Sequence, residues 1–195
     1  MKLVFATNNQ NKVNEIKSLI GNGVEILSLK DIGCNEELPE TKETLEGNAL
    51  QKARYVADNY NVNCFADDTG LEIESLNGAP GVYSARYAGV ECKAEDNMTK
   101  VLAELGDKEN RLAKFRTIVA LIIKGEEHSF EGKIDGSITR SKSGSDGFGY
   151  DPIFQPNGFD ITFSEMSMAE KNAISHRGKA VAKLVAFLKE ESPRF

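Results

Sequence analysis

Cys64-Phe65-Ala66-Asp67-Asp68-Thr69-Gly70-Leu71 is the stretch on which the reading of this chain turns. An apolar run stops at two adjacent carboxylates, a hydroxyl and a glycine. Leu71, Ile73 and Leu76 then resume a strand-like alternation. The pattern reads as a buried strand end that delivers acidic side chains to a cleft. Two carboxylates beside apolar residues are costly unless something cationic neutralises them. Mg²⁺ is the simplest candidate, because hard cations select carboxylate oxygens. A solvated turn with an Asp-Thr-Gly tip satisfies the same letters.

Upstream, Lys2 to Ala6 reads as a first strand, followed by the polar loop Thr7-Asn8-Asn9-Gln10-Asn11-Lys12 and then Val13, Ile16, Leu19 and Ile20 at helical spacing. A helix N-terminus presents N–H groups and partial positive charge, which suits phosphate, and Lys12 adds a full charge there. The glycines of a Walker loop or a dinucleotide fingerprint are missing, and an Asn-rich N-cap explains the same loop without a ligand. Val24 to Leu29 reads as a second strand. Glu36 to Glu46 is polar and acidic and contains Glu40. A helix is expected over roughly Thr44 to Tyr60, with Leu45, Ala49, Ala53, Val56, Ala57 and Tyr60 as its apolar stripe. Lys52 and Arg54 lie off that stripe, either as solvated charges or aimed at an anion.

Downstream, Leu71 to Leu76 alternates like a half-buried strand, Asn77 to Gly81 is a loop, and Ala94 to Leu105 is a helix. Arg86 is either a cleft cation or a surface residue. Arg116 to Ile123 and His128 to Ile138 form a hairpin about Lys124-Gly125-Glu126-Glu127. The loop 141–147 leads into Phe148-Gly149-Tyr150-Asp151-Pro152-Ile153-Phe154, whose aromatics suit either the core or a stacking platform for a base. Ser167 and Glu170 have capping-box spacing. Lys171, His176, Arg177 and Lys179 crowd the start of a last helix, with Ser175 a plausible N-cap. The order of elements argues an α/β fold with a mixed sheet, in which a cleft between two lobes would gather these segments.

The totals narrow the classes. At 195 residues, with 40% hydrophobic and 28% charged residues, the chain is long enough for one sizeable domain over 1–195 or two intimately joined lobes. A net charge of −6 argues against general nucleic-acid binding. The three cysteines, Cys34, Cys64 and Cys92, have no metal-ligand spacing and suit reduced thiols in the cytoplasm. No apolar run has the length of a membrane span, and with a strand beginning at Lys2 no secretory signal is expected.

Taken together, segments 7–12, Glu40-Thr41, Glu46-Gly47-Asn48-Ala49, Lys52-Ala53-Arg54, 66–71, 78–86, 147–154 and 171–177 resemble the inosine triphosphate pyrophosphatase family, in the family's order and over nearly the whole chain. Asn9 stands where glycine is common and Thr69 where serine is common. The resemblance implies an elongated mixed β-sheet flanked by helices, two lobes around a central substrate cleft, and a homodimer. It implies Mg²⁺-dependent hydrolysis of ITP, dITP and XTP to the monophosphate and pyrophosphate. The alternatives are a non-hydrolysing purine nucleotide sensor, or a related pyrophosphatase for other modified nucleotides.

Under that resemblance Glu40 and Asp68 are the expected Mg²⁺ ligands, and Asp68 also orients or deprotonates the attacking water, with Asp67 assisting electrostatically. Thr7, Asn8, Asn9, Gln10, Asn11 and Lys12, with Lys52, Lys171 and Thr69, are expected to hold the triphosphate. Phe148 is expected to stack on the base, with Gly149, Tyr150 and Asp151 shaping its pocket. His176 and Arg177 are expected to donate to purine O6, where adenine presents an amino donor instead.

Overall fold

The computed structural model describes residues 1–20 and 24–191. The rest of the expected domain, residues 21–23 and 192–195, lies outside the described residues. Strand β1 (Lys2–Phe5) is followed by helix α1 (Gln10–Ile20), β2 (Glu25–Leu27), α2 (Leu45–Tyr60) and β3 (Cys64–Ile73). The short β4 (Pro80–Gly81), α3 (Ala94–Leu105), β5 (Leu112–Ile123) and β6 (Glu126–Ile138) come next. β7 (Phe154–Pro156), α4 (Met168–Ile174) and α5 (His176–Glu191) complete the chain. The strands form a mixed sheet in the order β2-β1-β3-β5-β6-β7, with β4 added to β3. β1 pairs in parallel with both β2 and β3, Leu3 facing Ile26 and Phe5 facing Phe65. α1 and α2 are thus the crossovers that parallel pairing requires. β3 to β4 and β6 to β7 are antiparallel.

The chain divides into two compact units, one of residues 1–68, 117–132 and 177–195, the other of residues 69–116 and 133–176. Each has its own core. In the first, Leu3, Phe5 and Phe65 meet Val13, Ile16 and Ile20 of α1, Val119 and Leu121 of β5, and Ala180, Val181, Leu184 and Leu188 of α5. Phe5 and Phe65 stack at 4.5 Å between ring centroids. In the second, Leu71 and Ile73 pack with Met98, Val101 and Leu105 of α3, and with Phe115, Ile134, Tyr150, Phe154 and Phe163.

Several boundaries differ from the expectation. β3 does not end at the acidic pair but runs through it to Ile73, so neither a strand end nor a solvated turn describes Asp67 and Asp68. Carboxylates are tolerated within a strand here because cations meet both, as described below. The alternation expected to reach Leu76 stops at Ile73, where Glu74–Leu76 turn into a 3₁₀ helix. β5 starts at Leu112 rather than Arg116, and β6 at Glu126 rather than His128. The turn between them tightens to Lys124 and Gly125, at φ 52° and 82°, the signs a two-residue type I′ hairpin needs. β7 begins at Phe154, the last residue of the aromatic segment. The Ser167–Glu170 capping box is formed as expected, and Ser175, in extended conformation, separates α4 from α5.

The period of a strand sets the position of everything that follows. Successive side chains leave β3 on opposite faces. Phe65 enters the core shared with α1 and α5, while the Cys64 thiol on the other face donates to the Ala53 carbonyl of α2 at 3.0 Å. Burial pushes that thiol up to about 12, which leaves it a packing group. Replacing Phe65 with alanine is expected to cost about 3–5 kcal/mol, read as a fall in the urea-unfolding midpoint at unchanged slope.

Candidate active site

Asp67 follows Phe65 onto the α1/α5 face, and Asp68 follows Cys64 onto the α2 face. Asp67 is fully buried at its side chain. It accepts from Lys12 Nζ at 2.9 Å and from Arg177 Nε at 3.1 Å. Arg177 is itself buried, and its Nη1 donates to Glu15 of α1. Burial alone would raise the Asp67 pKa. The charges of Lys12, Arg177 and Lys52 reverse this and hold the carboxyl well below the usual carboxylate range. Burial and the same two cations, Lys52 and Arg177, lower the pKa of Lys12, against the pull of Asp67.

Asp68, one residue on, has the opposite fate. Its pKa is raised, chiefly by burial and further by Glu40 and Asp67, against the opposing charges of Lys52 and Lys12. Lys52 is buried, and its Nζ bonds Glu40 and lies 3.7 Å from Asp68 Oδ1. Burial works to lower the Lys52 pKa, but the charges of Asp68, Glu40 and Asp67 raise it overall. Two neighbouring carboxylates whose environments drive their pKa values apart are the mark of divided acid–base roles.

The expected position of Lys52 off the apolar stripe is corrected. Leu45, Asn48, Ala49, Lys52, Ala53 and Val56 are all buried on one face of α2, spaced by the 3 and 4 residues of a helical stripe. The lysine lies on that stripe because carboxylates wait for it. Glu15 was missed altogether. Its signal is its spacing three residues after Lys12 on α1, which puts both on one helix face.

The N-terminal loop serves α1 directly. Asn9 Oδ1 accepts from the N–H groups of Asn11 at 3.0 Å and Lys12 at 3.3 Å, and Thr7 Oγ1 accepts from Asn9 N–H at 3.2 Å. The N-cap reading is therefore realised, and two N–H groups of the first turn are taken by Asn9. Thr7 is half-buried, while Asn8, Asn9, Gln10 and Asn11 are exposed. Asn8 Nδ2 donates to the Glu36 carbonyl at 3.4 Å.

In the second unit, Asp151 organises the aromatic segment. Its Oδ2 accepts from Phe148 N–H at 2.8 Å and from Lys171 Nζ at 2.8 Å. A Cβ on Gly147 would lie 2.2 Å from that oxygen, and its φ of +81° suits glycine alone. Tyr150 is buried, donates to the Ser84 carbonyl at 2.7 Å, and has its phenol pKa raised by burial. It belongs to the core. Phe148 is only half-buried and receives the Lys171 ammonium 4.8 Å from its ring centroid. Gly149 lies between the two at φ 66°. His176 is buried and stacks on Phe115 at 4.5 Å and 15°. Thr69 is half-buried within β3.

The structure thus brings together Lys12, Glu40, Lys52, Asp67, Asp68 and Arg177 in one unit, and Phe148, Tyr150, Asp151, Lys171 and His176 in the other. A groove of about 530 Å³ in the second unit, lined by residues such as Asn77, Leu112 and Lys114, contains none of them. Its Glu72 is paired with Lys114 and Arg116, each at 3.1 Å. Arg86 lies with its guanidinium 5.3 Å from the Tyr83 ring centroid. Among the described residues no group of three or more His, Cys, Asp or Glu side chains is gathered to hold a metal ion, and no helix is long and apolar enough to cross a membrane.

The sequence model described as the Ham1 family matches residues 3–187, and the chain belongs to that family. The dITP/XTP pyrophosphatase of Flavobacterium psychrophilum is 56% identical over 189 residues, covering 97% of this chain and 100% of that relative. The dITP/XTP pyrophosphatase of Flavobacterium johnsoniae is 54% identical over 188 residues, covering 96% and 98%. The solved structure of the Staphylococcus aureus Ham1 protein superposes with a TM-score of 0.89 at 38% identity, covering 98% of this chain and 100% of that one. The fold is therefore the family's mixed sheet flanked by helices.

Because its pKa is lowered on folding, Asp67 contributes stability that is complete above its unfolded value near 3.8 and is lost as pH falls below it. Asp67→Asn is expected to cost about 3–5 kcal/mol at pH 7 by leaving Arg177 and Lys12 under-compensated. It should also flatten the loss of stability that the native protein shows below pH 4. Urea titrations from pH 7 to pH 2 measure both effects.

Proposed function

We propose that this chain hydrolyses deaminated purine nucleoside triphosphates, ITP, dITP and XTP, to the monophosphate and pyrophosphate. The observation that carries the reading is the placement of Asp67 and Asp68 side by side in β3, one held between Lys12 and Arg177 and the other beside Lys52 and Glu40. The family membership and the names of the relatives support the substrate class.

A Mg²⁺ ion fits the residues present. Glu40 and Asp68 turn oxygens towards the same lysine ammonium, so their donor atoms converge, and carboxylate oxygen is the donor this ion selects. Two carboxylates completed by phosphate oxygens and water is its common arrangement, which needs no third protein ligand. The charge balance points the same way. Lys12, Lys52 and Arg177 face Glu15, Glu40, Asp67 and Asp68, so the cluster has no positive surplus for a triphosphate carrying about four negative charges. When bound, the ion would offset phosphate charge and polarise the phosphorus centre.

The chain's own groups do the rest. Asp68 takes a proton from the water that attacks the α-phosphorus, and the bond to the β-phosphate oxygen breaks with release of pyrophosphate. Asp67 stays ionised and fixes Lys12 and Arg177. Lys12 and Lys52, with Thr69 and the segment 7–11, bind the phosphates. Phe148 offers its half-exposed face to the base. Lys171 holds Asp151 and with it the Phe148 backbone. His176 and Arg177 donate towards O6, Arg177 with its Nε and Nη1 already set by Asp67 and Glu15. A homodimer in the cytoplasm completes the reading, on the strength of the family resemblance.

Product analysis with ITP, XTP, GTP and ATP, each with and without Mg²⁺, tests the reaction. Monophosphate plus pyrophosphate from ITP and XTP, with little from ATP, is the expected outcome. Release of inorganic phosphate would move the attack to the γ-phosphorus and remove Asp68 from the base role. Asp68→Asn is expected to abolish turnover while leaving ITP binding, read by calorimetry, within about tenfold of native.

A further inference from the structure

We infer that Gly47, Asn48 and Gln51 of α2 form a clasp that positions Glu40. They act on the two residues after it. Gln51 Oε1 accepts from Thr41 N–H at 3.0 Å, and Gln51 Nε2 donates to Thr41 Oγ1 at 2.9 Å. Asn48 Oδ1 accepts from Lys42 N–H at 2.8 Å. Gly47 lets the segment come close, since a Cβ there would lie 2.7 Å from Lys42 Cβ and 3.0 Å from Thr44 Oγ1. That contact is with an atom tied to the backbone, so an added methyl group has to displace the chain at Lys42.

Asn48 indicates what the clasp is for. It is 1% exposed, and its Nδ2 has no hydrogen-bond partner among the described residues. A buried donor left unmade is costly, so an apolar side chain would serve a purely structural position better. The amide's gain is the Lys42 N–H it holds. Lys52, which grips Glu40 itself, lies four residues further along the same helix face. One rigid helix therefore holds the Glu40 segment at three consecutive points, on residues 40, 41 and 42. The lysine fixes the carboxylate, and the clasp fixes the backbone that carries it. Supporting groups of this kind orient a ligand without touching the ion. Gly47, Asn48 and Gln51 are positioning residues.

The inference rests on the reading of Glu40 as a metal ligand, and its test separates the two. The probe is Mn²⁺ with the non-hydrolysable α,β-methylene analogue of ITP, the free ion being measured by its paramagnetic resonance signal. Gln51→Leu, at a half-buried position, and Gly47→Ala are each expected to weaken Mn²⁺ binding about tenfold. The half-saturating Mg²⁺ concentration should rise in step while kcat at saturating Mg²⁺ stays near native. Gln51→Glu, which keeps an acceptor for Thr41 N–H, is expected to restore native affinity. A helix-only role predicts instead that Gly47→Ala raises the melting temperature, as alanine does in helices, with no change in Mn²⁺ affinity. If Glu40→Gln weakens Mn²⁺ binding while Gln51→Leu and Gly47→Ala bind it as the native protein does, the clasp is overturned and the ligand reading stands. If Glu40→Gln leaves the affinity unchanged, Glu40 is not a ligand and both fall.

Discussion

The burial of Asp67 is the constraint on which the first unit depends. A carboxylate with no solvent exposure is among the least tolerable groups in a protein interior unless cations meet it directly. Lys12 and Arg177 do so, from α1 and from the first turn of α5. Glu15 in turn meets the second charge of the arrangement at Arg177. Two helices far apart in the chain, α1 and α5, are thereby locked to the middle of one strand. The network is weak evidence for stability and stronger evidence for a fixed geometry, since each member is costly without its partners.

Adjacent aspartates become chemically different because a strand sends them to opposite faces. On one face Asp67 meets two cations and stays charged. On the other, Asp68 meets one lysine that is shared with Glu40, and burial dominates. No special residue creates this difference. It follows from the pleat, from which helix covers which face, and from where the lysines of α1 and α2 fall.

In the second unit the aromatic segment is held by its own set of polar contacts. Asp151 fixes the Phe148 backbone and Lys171 together, while Tyr150 anchors the segment in the core. Gly147 is required because its missing Cβ leaves room for the Asp151 carboxylate. Phe148 is half-buried, whereas Tyr150 and Phe154 of the same segment are buried.

Much of this was legible in the sequence. The first strand and helix, the long α2, the α3 stripe, the β5–β6 hairpin and the Ser167 capping box all follow from local periodicity and capping. The acidic pair stood out as a site because two carboxylates interrupt an apolar run. Other features were beyond local pattern. β3 runs on through Asp67 and Asp68 because Lys12, Lys52 and Arg177 arrive from elsewhere in the chain. Lys52 was placed off the apolar stripe because a lysine is scored as polar, yet it belongs to the buried face of α2, where it meets Glu40 and Asp68. Glu15 passed unnoticed for the same reason. Sequence determined the elements and the inventory of charges. Only the tertiary structure decided which charges meet, because pairing across 55 and 110 residues depends on how the sheet and its helices close, and no local spacing encodes that.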